Sequence, residues 1–270
     1  MKTVLAIWVT LTGIVSNGCE VEEVKDRQPY SEKRVPDASS HFDEILKRHV
    51  GVNGCVDYAG IRQNPFQLIA FVRFLEAISP ESHPDLFQTP NDEKSYWINA
   101  YNALIMKSVT DHPEIDSVND IQFAKGIFWR GKFILGGRSY TLLHIENSIL
   151  RKRYKDAQIH FAINCASNSC PPLGNRIFLG DQLDEQLDQK AAQFIQDPTN
   201  VRLDQANQEI WVSRLFKWYQ RDFGQNSRQL KSYILQYRPD LTESIADKIR
   251  NDYKIRYFQY DWGLNDLNEK

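Results

Sequence analysis

Gln158-Ile-His-Phe-Ala-Ile-Asn-Cys-Ala-Ser-Asn-Ser-Cys-Pro-Pro-Leu173 is the stretch from which the rest of the chain is read. From Ile159 to Asn164 apolar and polar residues alternate with an aromatic and β-branched bias, which predicts a short strand. Ser, Asn and a proline pair then break the pattern, so the strand would deliver its end to a loop of small residues. Cys165 and Cys170 bracket that loop and His160 opens the strand. Two of the four cysteines and one of the six histidines thus fall within eleven residues, and chemistry is expected there.

Working toward the N-terminus, Leu142 to Arg153 reads as a short helix carrying His144 and Glu146, with Ile145, Ile149 and Leu150 as its apolar face. Phe128 to Thr141 before it reads as a hairpin turning at Gly136-Gly137. The longest helix is expected from Glu93 to about Thr110, capped by Asn91 or Asp92, with Trp97, Ala100, Tyr101, Leu104 and Ile105 on one wide face. Asn99 and Asn102 sit three apart on it and project from neighbouring positions. Asn is a poor helix former, so two in a central helix imply a specific role. One role is to bond the backbone of a neighbouring loop; the other is to orient a catalytic histidine or donate to an oxyanion. Asn64-Pro65 opens an earlier helix, Phe66 to Ile78, and His41 to Val50 forms the first.

Toward the C-terminus, Leu183, Leu187, Ala191 and Phe194 keep helical spacing until Pro198, and Val201 to Val212 reads as a second hairpin. Ser213 caps a helix through Phe223, and Asn226 to Tyr237 and Thr242 to Asn251 form two more. Ile255 to Trp262 ends as an aromatic extended segment. Helices and hairpins do not alternate strictly, so the fold class is α+β, with the long central helix packed on a small, mostly antiparallel sheet.

With 270 residues, 41% of them hydrophobic, the chain can bury a full core, and residues 41–270 read as one domain. A net charge of -2 offers no basic excess for a polyanion, which argues against nucleic acid as a partner. Lys2 and the apolar run Val4 to Val15, too short to span a membrane, match a secretory signal over residues 1–18. Gly18-Cys19 resembles a lipoprotein site at which Cys19 would become the lipidated first residue; ordinary cleavage after Gly18 is the other reading. The expected location is outside the cytoplasm, lipid-anchored in the cell envelope, periplasmic or secreted, with membrane contact only through Cys19. Residues 19–40 are charge-rich with two prolines and read as a flexible tether. An envelope peptide, glycan or protein is the expected partner.

Trp97-Ile-Asn-Ala-Tyr-Asn102, Ile145-Glu146 with Leu150-Arg151, His160-Phe-Ala-Ile-Asn-Cys165-Ala-Ser, Leu215-Phe-Lys-Trp-Tyr219 with Asp222-Phe223, and Tyr260-Asp-Trp262 follow one another as the motifs of the DUF547 family do. From about Val50 to Asn265 the chain resembles that family, which has no assigned function and occurs in bacterial exported proteins and in plants. The resemblance favours Cys165 over Cys170, because the family often has serine at the second position. His144 is likewise disfavoured, because the family more often has an acidic residue there. A long helix on a sheet with cysteine, histidine and amide side chains is also similar to papain-like and transglutaminase-like hydrolases, at the level of fold analogy alone.

A thiol hydrolase or acyltransferase built from these residues would use Cys165 as nucleophile, His160 as base, and Glu146, Asn102 or Asn99 as orienters. A free thiol with a pKa of about 8.5 is only a few per cent ionised at neutral pH, so partners must lower it. A straight strand would put His160 roughly 16 Å from Cys165, and their meeting requires a bend. The alternative is a non-catalytic envelope binding module in which Cys165 and Cys170 form a structural loop or a disulfide, which export would permit. Cys-x4-Cys with one nearby histidine falls short of a zinc site, and phosphate-loop, serine-elbow and dinucleotide fingerprints are missing. No metal or cofactor is therefore expected. If Cys19 carries a lipid, Cys19→Ser is expected to move the protein from the membrane to the soluble fraction; a mutant that fractionates like its parent overturns the anchor.

Overall fold

A capping box starts the helix on which the fold is built. The Thr89 hydroxyl accepts the Asp92 N–H and the Asp92 carboxylate accepts the Thr89 N–H, so the sequence Thr-Pro-Asn-Asp satisfies two orphan donors at once. Pro90 occupies the first turn, where its missing N–H costs nothing. The cap is therefore Thr89, not Asn91 or Asp92, and the helix runs Pro90–Thr110, 21 residues (α4). It is buried nearly all round. Packed against it are α2 (Tyr58–Gln63), α3 (Phe66–Ala77), the Ile145–Arg151 helix and the turn Gly180–Gln182.

The computed structural model describes residues 35–120 and 130–268; the apolar run Val4–Val15, Cys19 and the tether up to residue 34 lie outside the described residues. The first helix, α1 (Val35–His49), begins earlier than His41 and takes up the last part of the segment read as a tether. Asn64 closes α2 through its backbone N–H and does not cap α3, which starts one residue after Pro65. The first hairpin is formed as expected in its described part. β1 (Phe133–Leu135) pairs with β2 (Arg138–Tyr140), and Gly136 and Gly137 both take the positive φ that a tight two-residue turn requires.

A second, three-stranded sheet pairs β3 (Val201–Asp204) antiparallel to β4 (Glu209–Val212), and β4 parallel to β5 (Lys254–Tyr257). The fold is α+β, with two small sheets beside the helices. Beyond Tyr257 the chain leaves the sheet, so only the start of the expected aromatic segment is a strand. The helix expected over Ser213 to Phe223 is two, Leu215–Trp218 and Gln220–Phe223, divided at Tyr219.

The opening stretch departs most from expectation. Ala157–Phe161 is a 3-10 helix capped by the Asp156 side chain, not a strand. Every residue from Ile159 to Asn164 is buried, so the apolar alternation reflects no alternation of exposure. The reason is that this turn lies between two cores: Ile159 packs with the α1–α4 core, whereas Phe161 packs with Phe194, Phe216 and Phe223 of the C-terminal half.

Asn102 ties this turn to α4. Its amide nitrogen donates to the Ala162 carbonyl at 2.9 Å and its amide oxygen accepts the Asn164 N–H at 2.9 Å, all buried. Asn99 treats Phe178 in the same way, donating at 2.8 Å and accepting at 3.1 Å. Asn102→Ala leaves a buried carbonyl and a buried N–H unpaired and is expected to cost roughly 2–4 kcal/mol of stability. Urea unfolding measures it; a loss below about 1 kcal/mol overturns the clamp as a main support of the loop.

Candidate active site

Asn164 shapes the loop that follows. Its amide oxygen accepts the Ala166 N–H at 2.7 Å and its amide nitrogen donates to the Pro171 carbonyl at 2.8 Å, joining the two ends of the cysteine loop. Ala166 pays for this turn with a φ of 66°, a left-handed conformation unusual for a side chain with Cβ. The C-terminal segment then seals the outside of the loop. Asn265 N–H donates to the Ala166 carbonyl at 3.0 Å and Asn168 N–H to the Gly263 carbonyl at 2.8 Å.

Within this frame Cys165 is half-buried, with its sulfur 2.7 Å from Cys170 Sγ, 3.2 Å from Ser167 Oγ and 3.5 Å from Tyr260 Oη. The Cys165 N–H donates to Cys170 Sγ at 2.9 Å, and Ser167 Oγ and Tyr260 Oη lie 2.8 Å apart. The Cys170 thiol, foremost, and the Ser167 and Tyr260 hydroxyls stabilise a thiolate at Cys165 and outweigh burial, which lowers its pKa to about 6. Burial and the adjoining thiolate push Cys170 the other way. The pair is therefore asymmetric, with Cys165 the ionised member at neutral pH.

His160 is buried on the same cavity wall. Its Nε2 lies 2.7 Å from Asp222 Oδ2, and its ring stacks on Tyr219 with centroids 4.0 Å apart. Burial draws the imidazole below its ordinary pKa despite Asp222, while the His160 and Arg151 contacts hold the Asp222 carboxyl well below the carboxylate range against its own burial. Near pH 7 the ring is neutral and the carboxylate is ionised. Asp222 can only accept, so Nε2 carries the proton and Nδ1 keeps a lone pair that forms no hydrogen bond among the described residues. Arg151 fastens Asp222 through Nε at 2.7 Å and Nη2 at 3.3 Å, and its guanidinium carbon lies 4.8 Å from the centroid of the Tyr219 ring.

Glu146 lies in a seven-residue π-helical stretch, Ile145–Arg151, the kind of widened turn that recurs at functional sites. It accepts the Tyr219 hydroxyl at 2.6 Å and the Tyr101 hydroxyl at 3.2 Å. Burial raises the pKa of both tyrosines, so they remain donors. Cys165, Cys170, His160, Glu146, Tyr219 and Tyr260 all line one cavity of about 360 Å³. Trp218 and Trp262 also line it and are 44% and 37% exposed, which places indole faces at its mouth.

The structure thus brings Cys165, His160 and Glu146 to one cavity, with no hydrogen bond directly joining Cys165 to His160 among the described residues. Asn102 and Asn99 both bond loop backbone, the first of their two sequence-level roles. His144 sits apart from the cavity, against Tyr140. Among the described residues no cluster of three or more His, Cys, Asp or Glu could hold a metal, and no helix is long and apolar enough to cross a membrane. Asp222, Tyr219, Arg151, Ser167 and Tyr260 were missed as site residues, although all five stand in the motifs that carried the family resemblance.

Residues 86–195 match the family model described as protein of unknown function, DUF547. Over this stretch the chain is similar to the DUF547 family. No curated protein and no solved structure matches the chain. The matched stretch contains Asn99, Asn102, Glu146, His160, Cys165 and Cys170. Tyr219, Asp222 and Tyr260, which complete the site, come from beyond it. In the reduced protein, the alkylation rate of Cys165 by iodoacetamide is expected to rise with pH through a midpoint of about 6. Cys170→Ala should move that midpoint up toward the free-thiol value of about 8.5. A midpoint already near the free value, measured from the pH dependence of labelling, overturns the assignment of the thiolate to Cys165.

Proposed function

We propose that the protein is an exported cell-envelope enzyme that transfers or hydrolyses acyl groups through a thioester on Cys165. The observation that carries this reading is the shared cavity of a thiol held near pKa 6 and a neutral histidine oriented by an ionised carboxylate. The Cys165 thiolate attacks the acyl carbon, and the bond from that carbon to the leaving group breaks as the group takes a proton from solvent water. His160 Nδ1 then removes a proton from water or an acceptor alcohol or amine, which attacks the thioester and releases Cys165. Asp222 stabilises the transient imidazolium through Nε2. Ser167 and Tyr260, whose hydroxyls lie 3.2 Å and 3.5 Å from the sulfur, would supply a donor to the oxyanion that develops beside it.

Glu146 acts one step back, by fixing Tyr219 and hence the face on which the imidazole is stacked. The apolar wall and the indoles at the mouth would exclude water from an acyl chain lying along them. Localisation rests on the N-terminal sequence alone. The test is incubation with activated acyl esters and thioesters, followed by mass spectrometry of the trapped acyl-enzyme. Acylation is expected on Cys165 and to vanish in Cys165→Ala, while His160→Ala and Asp222→Asn should lower turnover by about 100-fold or more. Absence of a Cys165 adduct across such a panel, or turnover unchanged in Cys165→Ala, overturns the enzyme in favour of a binding module.

A further inference from the structure

The mechanism above gives Cys170 only a supporting bond, yet its placement suits it to a different reaction. Its sulfur is 2.7 Å from Cys165 Sγ, inside the contact distance of two thiols and outside the roughly 2.05 Å of a covalent S–S bond. Both ends of the intervening loop are held by one side chain, Asn164, through its bonds to Ala166 and Pro171, so the backbone that carries the two sulfurs is kept closed. Both cysteines also line the cavity, which gives a small oxidant a path to them. The third described cysteine, Cys55, is buried and does not line the cavity.

We propose that Cys165 and Cys170 form an oxidative modification site at which a hydroperoxide converts the dithiol to a disulfide and thereby switches the cavity off. The inference rests on Cys165 being the nucleophile of the acyl transfer proposed above. In the first step the Cys165 thiolate attacks the terminal peroxide oxygen. An S–O bond forms, the O–O bond breaks, and the departing oxygen takes a proton and leaves as water or an alcohol. In the second step the Cys170 sulfur attacks the Cys165 sulfenic acid, the S–S bond forms, the S–OH bond breaks, and water leaves with the proton of Cys170. Two thiols are oxidised and one hydroperoxide is reduced, with no further reactant.

The Ser167 and Tyr260 hydroxyls are well placed to serve the first step, since they lie at 3.2 Å and 3.5 Å from the attacking sulfur and can donate to the oxygen that departs. The loop bonds serve the second, because the resolving sulfur needs no backbone rearrangement to reach its target. The disulfide removes the nucleophile from the cavity, and a reducing thiol restores it.

The test treats the reduced full-length protein with one equivalent of hydrogen peroxide, blocks remaining thiols with iodoacetamide, and maps peptides by mass spectrometry. Expected is a Cys165–Cys170 disulfide, a fall in Cys165 alkylation of about tenfold or more, and recovery with dithiothreitol, as for a preformed pair. In Cys170→Ser the reaction should stop at a sulfenic acid that dimedone captures on Cys165. Both cysteines still alkylating fully after peroxide, or Cys165 passing directly to sulfinic acid in the parent protein, overturns the proposal. Acyl turnover is followed in the same samples. Turnover that peroxide does not reduce sinks the switch while leaving the acyl transfer standing, and a reversible disulfide in a protein without turnover sinks the acyl transfer while leaving the modification site.

Discussion

The two hydrogen bonds between the Asn102 amide and the backbone at Ala162 and Asn164 carry more of this structure than their number suggests. They are buried, where an unpaired carbonyl or N–H costs its full desolvation, so the loop has one low-energy way to lie on α4. Everything chemical follows from that placement. Asn164 is fixed by the first clamp and itself folds the loop back through Ala166 and Pro171, which sets Cys165 and Cys170 side by side. A helix with an asparagine at its core is poorer as a helix and better as a template for the strandless backbone beside it.

The site is assembled from segments far apart in the chain. The cysteine loop supplies the thiol pair, the π-helical stretch supplies Glu146 and Arg151, the break at Tyr219 supplies the ring under His160, and the C-terminal segment supplies Tyr260. The Tyr219 ring, in contact with both Arg151 and His160, joins the second and third of these, and Asp222 is bonded to both of its partners. The carboxylate is held ionised by the two cations or donors it touches, and in turn fixes which histidine nitrogen keeps its proton. The charges around Asp222 are thus set by pairs 62 and 71 residues apart in the chain, whereas the Cys165 thiolate depends first on Cys170 in its own loop.

The C-terminal segment has a second part in this. From Asp261 to Leu267 its backbone bonds to the cysteine loop, to residues around Asp116 and to Val56, so it acts as a strap across one side of the domain. Tyr260 and Trp262 ride on it and form, with Trp218, an aromatic group at the mouth of the cavity, with ring centroids 4.4 to 5.5 Å apart. Shape at the mouth and hydroxyl chemistry at the sulfur consequently depend on the same few residues of chain.

Local rules in the sequence were sufficient for the existence of the helices α1, α3 and α4, for both hairpins and for the α+β class, because periodicity and glycine turns act within a few residues, but they misplaced the caps of α3 and α4 and the start of α1. They were also sufficient to mark Cys165, His160 and Glu146, whose residue types are rare enough in combination to stand out. The 157–161 segment misled the same rules, since a turn buried between two cores is apolar on every side and six residues carry no reliable period. Asp222, Tyr219 and Tyr260 had no local signature that named their role, and the lowered pKa of Cys165 comes first from Cys170 and then from hydroxyls brought to it by folding. Sequence by itself determined which side chains were on hand and which helices would carry them. Tertiary structure decided which of them meet, because hydrogen bonds and charge pairs act over a few ångströms of space, and only the packing of two cores against one loop brought those ångströms about.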